Sequence, residues 1–297
     1  MTTGISWTEE TWNPATGCDR VSPGCDHCYA MTMAKRLKGM GQAKYQRDGD
    51  PRTSGPGFGL TVHPDALSLP LHWRKPRKVF VNSMSDLFHA DVPDGFIARV
   101  FAVMAATPQH TYQILTKRHA RMRSVLNDRL WWQYEFAAAC RVAGADYASS
   151  AVWSGDIAYL PNVHLGISAE DEKRFDLRSL ALLDTRAAVR FISAEPLIGQ
   201  IRMRASLLVG RALDPPDGIG WVIAGGESGP GARPCELDWL RSLRDQCADA
   251  GVPFFCKQLG AVLGRQFDAG PHGADWDHWP EDLRVRQFPA AAEPVPA

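Results

Sequence analysis

The chain has 297 residues, 45% of them hydrophobic and 22% charged, and its formal net charge is zero. This composition fits a globular protein with an ample core and excludes a disordered chain. No apolar run approaches the roughly 18 residues a membrane span needs, and Met1 to Glu10 lacks the build of a secretory signal, so a cytoplasmic protein with no membrane partner is predicted.

Charge divides unevenly along the chain. Residues 1–126 hold six more Lys and Arg than Asp and Glu, and the remainder holds six fewer. The basic stretches, Lys35 to Lys44, Arg74 to Lys78 and Lys117 to Arg123, are read either as an anion-facing surface or as solvated faces.

The first element in chain order is a cysteine constellation. Cys18, Cys25 and Cys28 fall within eleven residues, with Pro23 and Gly24 bending the chain before the tight pair. In a reducing compartment clustered cysteines are read as metal ligands first. Structural zinc wants four closed protein ligands, and no second Cys-x-x-Cys or His pair follows at finger spacing. His27, lying between two of the thiols, would not readily complete their tetrahedron. Three cysteines on a four-iron cluster instead leave one iron open to a cofactor or substrate. The other four, Cys140, Cys235, Cys247 and Cys256, read as core residues.

Residues 40–76 are rich in Gly and Pro with one short alternating run, Leu60 to His63, and read as a loop excursion with a small strand. From residue 78 onward, apolar β-branched runs alternate with amphipathic patterns. Lys78 to Asn82, Thr111 to Leu115, Val163 to Ile167, Val189 to Ser193, Trp221 to Ala224 and Val252 to Cys256 are predicted strands. Pro93 to Thr107 and Asp238 to Gly251 are predicted helices. Residues 128–161, rich in Trp and Tyr, are too long for an ordinary connection and read as a lid or substrate wall, or as a helical packing insertion.

The pattern predicts an α/β fold. A (β/α) TIM-like barrel, complete or partial, with an N-terminal cysteine loop is expected over residues 1–289 as one domain, followed by a disordered tail at 290–297. Polar residues follow each strand: Ser83 and Asp86, Lys117 and Arg118, Ser168 and Glu170, Glu195, Glu227, and Lys257. At the carboxyl ends of barrel strands such side chains converge on one face. Asp86 either holds a cofactor group or caps the next segment. Lys117 and Arg118 either clamp a carboxylate or form surface ion pairs. Glu170, Glu195 and Glu227, gathered near Lys257, would raise one another's pKa and supply a proton donor or acceptor, which makes Glu195, Glu227 and Lys257 the catalytic candidates. No P-loop, G-x-S-x-G or H-E-x-x-H occurs.

Cys25-Asp-His27-Cys28-Tyr29-Ala30 resembles the signature of radical S-adenosylmethionine enzymes, although the arm from Cys18 to Cys25 is longer than the common pattern. Over nearly its whole length the chain is also similar to an uncharacterised phage gene-product 37/68 family. That resemblance rests on Trp12-Asn13-Pro14, the three cysteines, Asn82 to His89, Leu115 to Arg118, Gly166 to Ser168, Ser193 to Leu197, Gly225 to Gly229 and Phe255 to Gln258. The resemblance implies a [4Fe-4S] cluster on Cys18, Cys25 and Cys28. It further implies S-adenosylmethionine held by His27, Ser83, Asp86, Lys117, Arg118, Ser168 and Glu170, and an electron donor such as flavodoxin or ferredoxin. A nucleobase, a nucleotide or nucleic acid is the expected substrate class. The rival reading is a zinc- or cluster-stabilised module that binds nucleic acid or protein without redox chemistry.

Overall fold

The apolar runs assemble into one sheet in a computed structural model that describes residues 3–208 and 218–290. Its strands are β1 (Glu10–Trp12), β2 (Lys78–Val81), β3 (Thr111–Thr116), β4 (Val163–Ser168), β5 (Val189–Ala194), β6 (Trp221–Gly225) and β7 (Phe254–Gln258). All seven are parallel, and their order in space is their order in the chain. Each crossover therefore returns beside the strand it left, as repeated βα units require.

Helices flank the sheet: α1 (Tyr29–Gly39), α2 (Asp94–Ala105), α3 (His119–Leu126), α4 (Ala137–Ala143), α5 (Glu172–Leu183), α6 (Leu237–Asp249) and α7 (Ala261–Gln266). The result is a mixed α/β fold around a seven-stranded parallel half-barrel. Among the described residues β1 and β7 do not pair, so the sheet stays open. Residues 285–287 run antiparallel along the free edge of β7, where Cys256 N–H donates to the Val285 carbonyl at 2.8 Å and Gln287 N–H to that of Phe254 at 2.9 Å. An exposed strand edge invites pairing with another chain, and this segment covers it.

Side chains alternate across each strand between two cores. Val79, Val81, Tyr112, Ile114, Leu165, Ile192, Val222 and Cys256 enter the large cluster shared with the helices. Phe80, Phe191, Trp221, Ile223 and Phe255 enter a smaller cluster on the other face, closed from below by Trp7. Strand register stacks this concave face in layers, with Phe80 beside Gln113 and His164, then Leu115 beside Gly166 and Phe191, then Ser168 beside Ser193. Gly166 is required here, because a Cβ at that position would lie 2.4 Å from the Phe191 ring.

Two sequence expectations need adjustment, and a third, left between two alternatives, falls on one of them. Glu10–Trp12 is a strand that the pattern did not reveal, being only three residues long. The run at 252 enters the sheet at Phe254, since Pro253 has no N–H to give the ladder. The segment at 128–161 is a packing insertion: Trp131 and Trp132 meet Phe101 of α2 edge to face at 5.7 and 6.0 Å, on the helical side of the sheet. The short run near residue 61 does pair, Thr61–Val62 lying antiparallel to Ala15–Thr16. Cys140, Cys235, Cys247 and Cys256 are buried. The expected disordered tail lies, from residue 291, outside the described residues. No helix among the described residues is long and apolar enough to cross a membrane.

Candidate functional site

The cysteine loop leaves β1 through Gly17, whose amide bonds the Met84 carbonyl beyond the end of β2 at 2.9 Å. Gly17 sits at φ +89°, and a Cβ there would lie 2.4 Å from the Gly59 carbonyl oxygen, so only glycine lets the two backbones approach. Cys18 follows, packed with Cys28 against Ala30, Ala34, Phe58 and Met84. Asp19 then ties the loop down, accepting from Thr53 Oγ1 at 2.6 Å and pairing with His89 at 2.9 Å. Cys25 closes a turn of 3-10 helix, and Cys28 is the N-cap residue of α1.

Four further tethers hold this loop over the carboxyl ends of the strands. Beyond β2, the Ser83 carbonyl accepts from Tyr29 Oη at 2.5 Å. Beyond β3, Arg118 Nη2 reaches the Asp19 carbonyl at 3.3 Å and Cys18 Sγ at 3.9 Å. Beyond β4, Glu170 Oε1 accepts from the Gly24 amide at 3.2 Å. Beyond β6, Glu227 Oε2 lies 2.9 Å from His27 Nδ1. Residues scattered through the sequence thus meet at one end of the half-barrel, as the geometry of parallel strands dictates.

Two of the expected acid–base residues, Glu170 and Glu227, are engaged by arginines. Glu170 is wholly buried, and Arg178, itself 3% exposed, bonds it at 2.9 Å and the Ser168 carbonyl at 2.8 Å. Glu227 accepts from Arg233 three times, from its backbone N at 2.9 Å, from Nε at 3.0 Å and from Nη2 at 2.6 Å. Burial alone would raise both carboxyl pKa values. These partners outweigh it, so Glu170 is shifted down and Glu227 falls to about 2. The expected upward shift from clustered carboxylates is therefore corrected at both positions, because Glu170 is held by Ser22 and Arg178 and Glu227 by Arg233. Burial, reinforced by the nearby Asp86 charge, pushes the Cys18 thiol up to about 12 against the opposing pull of Arg118.

Asp86 is similarly committed. Its carboxylate accepts from Phe88 N at 3.0 Å, Thr116 Oγ1 at 2.7 Å and Lys117 N at 2.9 Å, pinning the end of β2 to that of β3. The bond to Phe88 N is the capping contact expected of this residue. Ser83 shares its hydroxyl with Asn13 at 3.1 Å.

Groups available for chemistry remain on the concave face. Lys117 Nζ lies 3.3 Å from Ser168 Oγ and has no carboxylate within ion-pair distance among the described residues. Lys257 Nζ pairs with Glu195 Oε1 at 2.8 Å. Asn82, buried at the end of β2 with φ +64°, leaves both carboxamide atoms without partners. Such a group in a native interior calls for a ligand or a water.

Sequence reasoning missed Arg178 and Arg233, which lie only eight and six residues beyond Glu170 and Glu227, because neither spacing is a recognised pairing pattern. It also passed over Asn82, although a polar residue ending an apolar strand could have marked it. Among the described residues no three His, Cys, Asp or Glu side chains form a group able to hold a metal ion. A single ion gathers its ligands to one point, whereas a cluster spreads its thiolates over several irons.

Residues 2–280 match the family whose description reads "Protein of unknown function (DUF5131)". No curated protein and no solved structure gives a significant match.

Proposed function

The chain belongs to the DUF5131 family, a family of unknown function, and from its residues we propose that it is an iron–sulfur enzyme of the radical S-adenosylmethionine kind, working in the cytoplasm. On this reading the open sheet is a partial barrel of the TIM type. The observation that carries the proposal is the tethering of Cys18, Cys25 and Cys28 over the strand ends, above a concave face holding an unpaired ammonium and an unpartnered carboxamide. A three-thiolate donor set leaves a four-iron cluster one open iron. The buried Asn82, without partners, and Lys117, bonded to the Ser168 hydroxyl but to no carboxylate among the described residues, are polar groups that a bound cofactor would engage.

Bound together, a reduced cluster and S-adenosylmethionine supply an organic radical able to abstract hydrogen from an unreactive carbon. The chain's own residues would hold and shield the cofactor and substrate. Lys117, with Ser168, offers a charge-assisted bond to a carboxylate or phosphate. The Lys257–Glu195 pair can hold or release a proton beside the substrate. The filled layer of Trp7, Phe80, Phe191 and Trp221 closes the interior from below and excludes water from that side. A nucleobase or nucleotide remains the favoured substrate class, with a flavodoxin or ferredoxin as electron donor.

Anaerobic purification tests the reading. A brown protein with about four irons and matching sulfide per chain, whose electron paramagnetic resonance signal changes on adding S-adenosylmethionine, supports it. Tightly held zinc without iron, or a loaded cluster indifferent to the cofactor, overturns it.

A further inference from the structure

We propose that Arg118 sets the reduction potential of the centre on the cysteine loop by donating an N–H···S bond to Cys18, and does not clamp the cofactor's carboxylate. The inference rests on the cluster reading above. Its geometric basis is the divergence of two neighbours at the end of β3. Lys117 turns to the concave face and meets Ser168, while Arg118 turns to the loop, with Nη2 3.3 Å from the Asp19 carbonyl and 3.9 Å from Cys18 Sγ.

The guanidinium has no carboxylate within ion-pair distance among the described residues, and its Nε is buried without a partner. Its charge is permanent and poorly screened. Asp86 also lies near enough to act on the Cys18 thiol, but its carboxylate is engaged by Phe88, Thr116 and Lys117. A cation bonded to a cluster sulfur favours the more negative, reduced state, because cluster potentials follow net charge and hydrogen bonding to sulfur. One electron from the reductant would then be taken up more readily by a centre that Cys18 helps to hold, with no proton or leaving group involved.

The test is a potentiometric titration with dithionite of the anaerobically reconstituted full chain, followed by electron paramagnetic resonance. R118Q, which removes the charge, is expected to shift the midpoint to more negative potential, with R118K, which keeps the charge and loses the planar fork, in between. Iron and sulfide content should match wild type in both. A fully loaded R118Q with an unchanged midpoint overturns the proposal. So does a folded R118Q that holds no cluster, since Arg118 would then brace the loop rather than tune it. Wild-type protein without iron and sulfide defeats the cluster reading itself, and metal analysis alone reveals that outcome.

Discussion

Arg233 grips Glu227 as a fork, with Nε at 3.0 Å from Oε2 and Nη2 at 2.6 Å from Oε1, and the same Nη2 lies 2.8 Å from the Pro23 carbonyl. One side chain thereby fixes both the anion that orients His27 and the backbone just before Cys25. Arg233→Ala should loosen the segment from Pro23 to Cys28 while leaving the sheet intact. We expect faster hydrogen exchange at the Gly24 and Cys25 amides. We also expect roughly 10- to 100-fold weaker retention of a bound metal centre, the usual cost of losing a supporting contact. Mass-resolved exchange checks the first and chelator challenge the second.

Glu170→Gln should cost more in stability than in local order. It leaves the buried Arg178 without its counter-charge, and breaking a buried pair from one side typically costs about 3–5 kcal/mol. Urea unfolding of the variant against wild type measures this directly. A loss below about 1 kcal/mol, the range of a surface pair, would mean that Arg178 finds another anion or water.

His164 gives the fold an acid-sensitive element. It is buried on the concave face, its Nδ1 has no partner, and burial lowers its pKa to about 4. The unfolded chain takes up a proton near pH 6.5 while the folded protein resists until about pH 4, so stability falls as pH drops through that window. At pH 5 the deficit from this residue is about 2 kcal/mol. His164→Gln should flatten that part of the stability profile between pH 7 and 5, a difference that denaturant titrations at the two pH values detect.

Lys117 beyond β3 and Asp86 beyond β2, joined through the Lys117 amide, should separate by phenotype. Lys117→Met removes an ammonium that bonds one hydroxyl, so stability should change little. Cofactor affinity should drop by about 1.5–3 kcal/mol, the worth of a bond to a charged group. Asp86→Ala strips partners from two backbone amides and Thr116, so it should destabilise the chain by about 2–3 kcal/mol. Thermal unfolding and S-adenosylmethionine titration, run on both variants, distinguish the two roles.

How much of this was legible in the sequence follows from what each feature depends on. Strands such as Val163–Ser168 are buried on both faces, so their composition announces them without any periodic cue. Glu10–Trp12 is too short to announce itself, and only its pairing with Val79, Phe80 and Val81 makes it a strand. The cysteine spacing marked the loop because it is local. The states of Glu170 and Glu227 could not be read, since Ser22 and Arg178 for the one and Arg233 for the other are brought up only by the folded helices and turns. Asp86 was readable as a cap, and its engagement with Thr116 and Lys117 extends that reading across two strands.

The cysteine loop also has a history set by the order of synthesis. Its thiols are made first, yet Gly24 bonds a residue 146 positions later, His27 one 200 positions later, and Pro23 one 210 positions later. Strands β1 to β4 can pair as they emerge, each beside a neighbour already present, but these clasps cannot form until most of the chain has left the ribosome. During that interval the loop has only its nearer partners, Thr53, Ser83, Met84, His89 and Arg118. A chain truncated before Glu227 would therefore carry the three thiols on a loop lacking its clasps at Pro23 and His27.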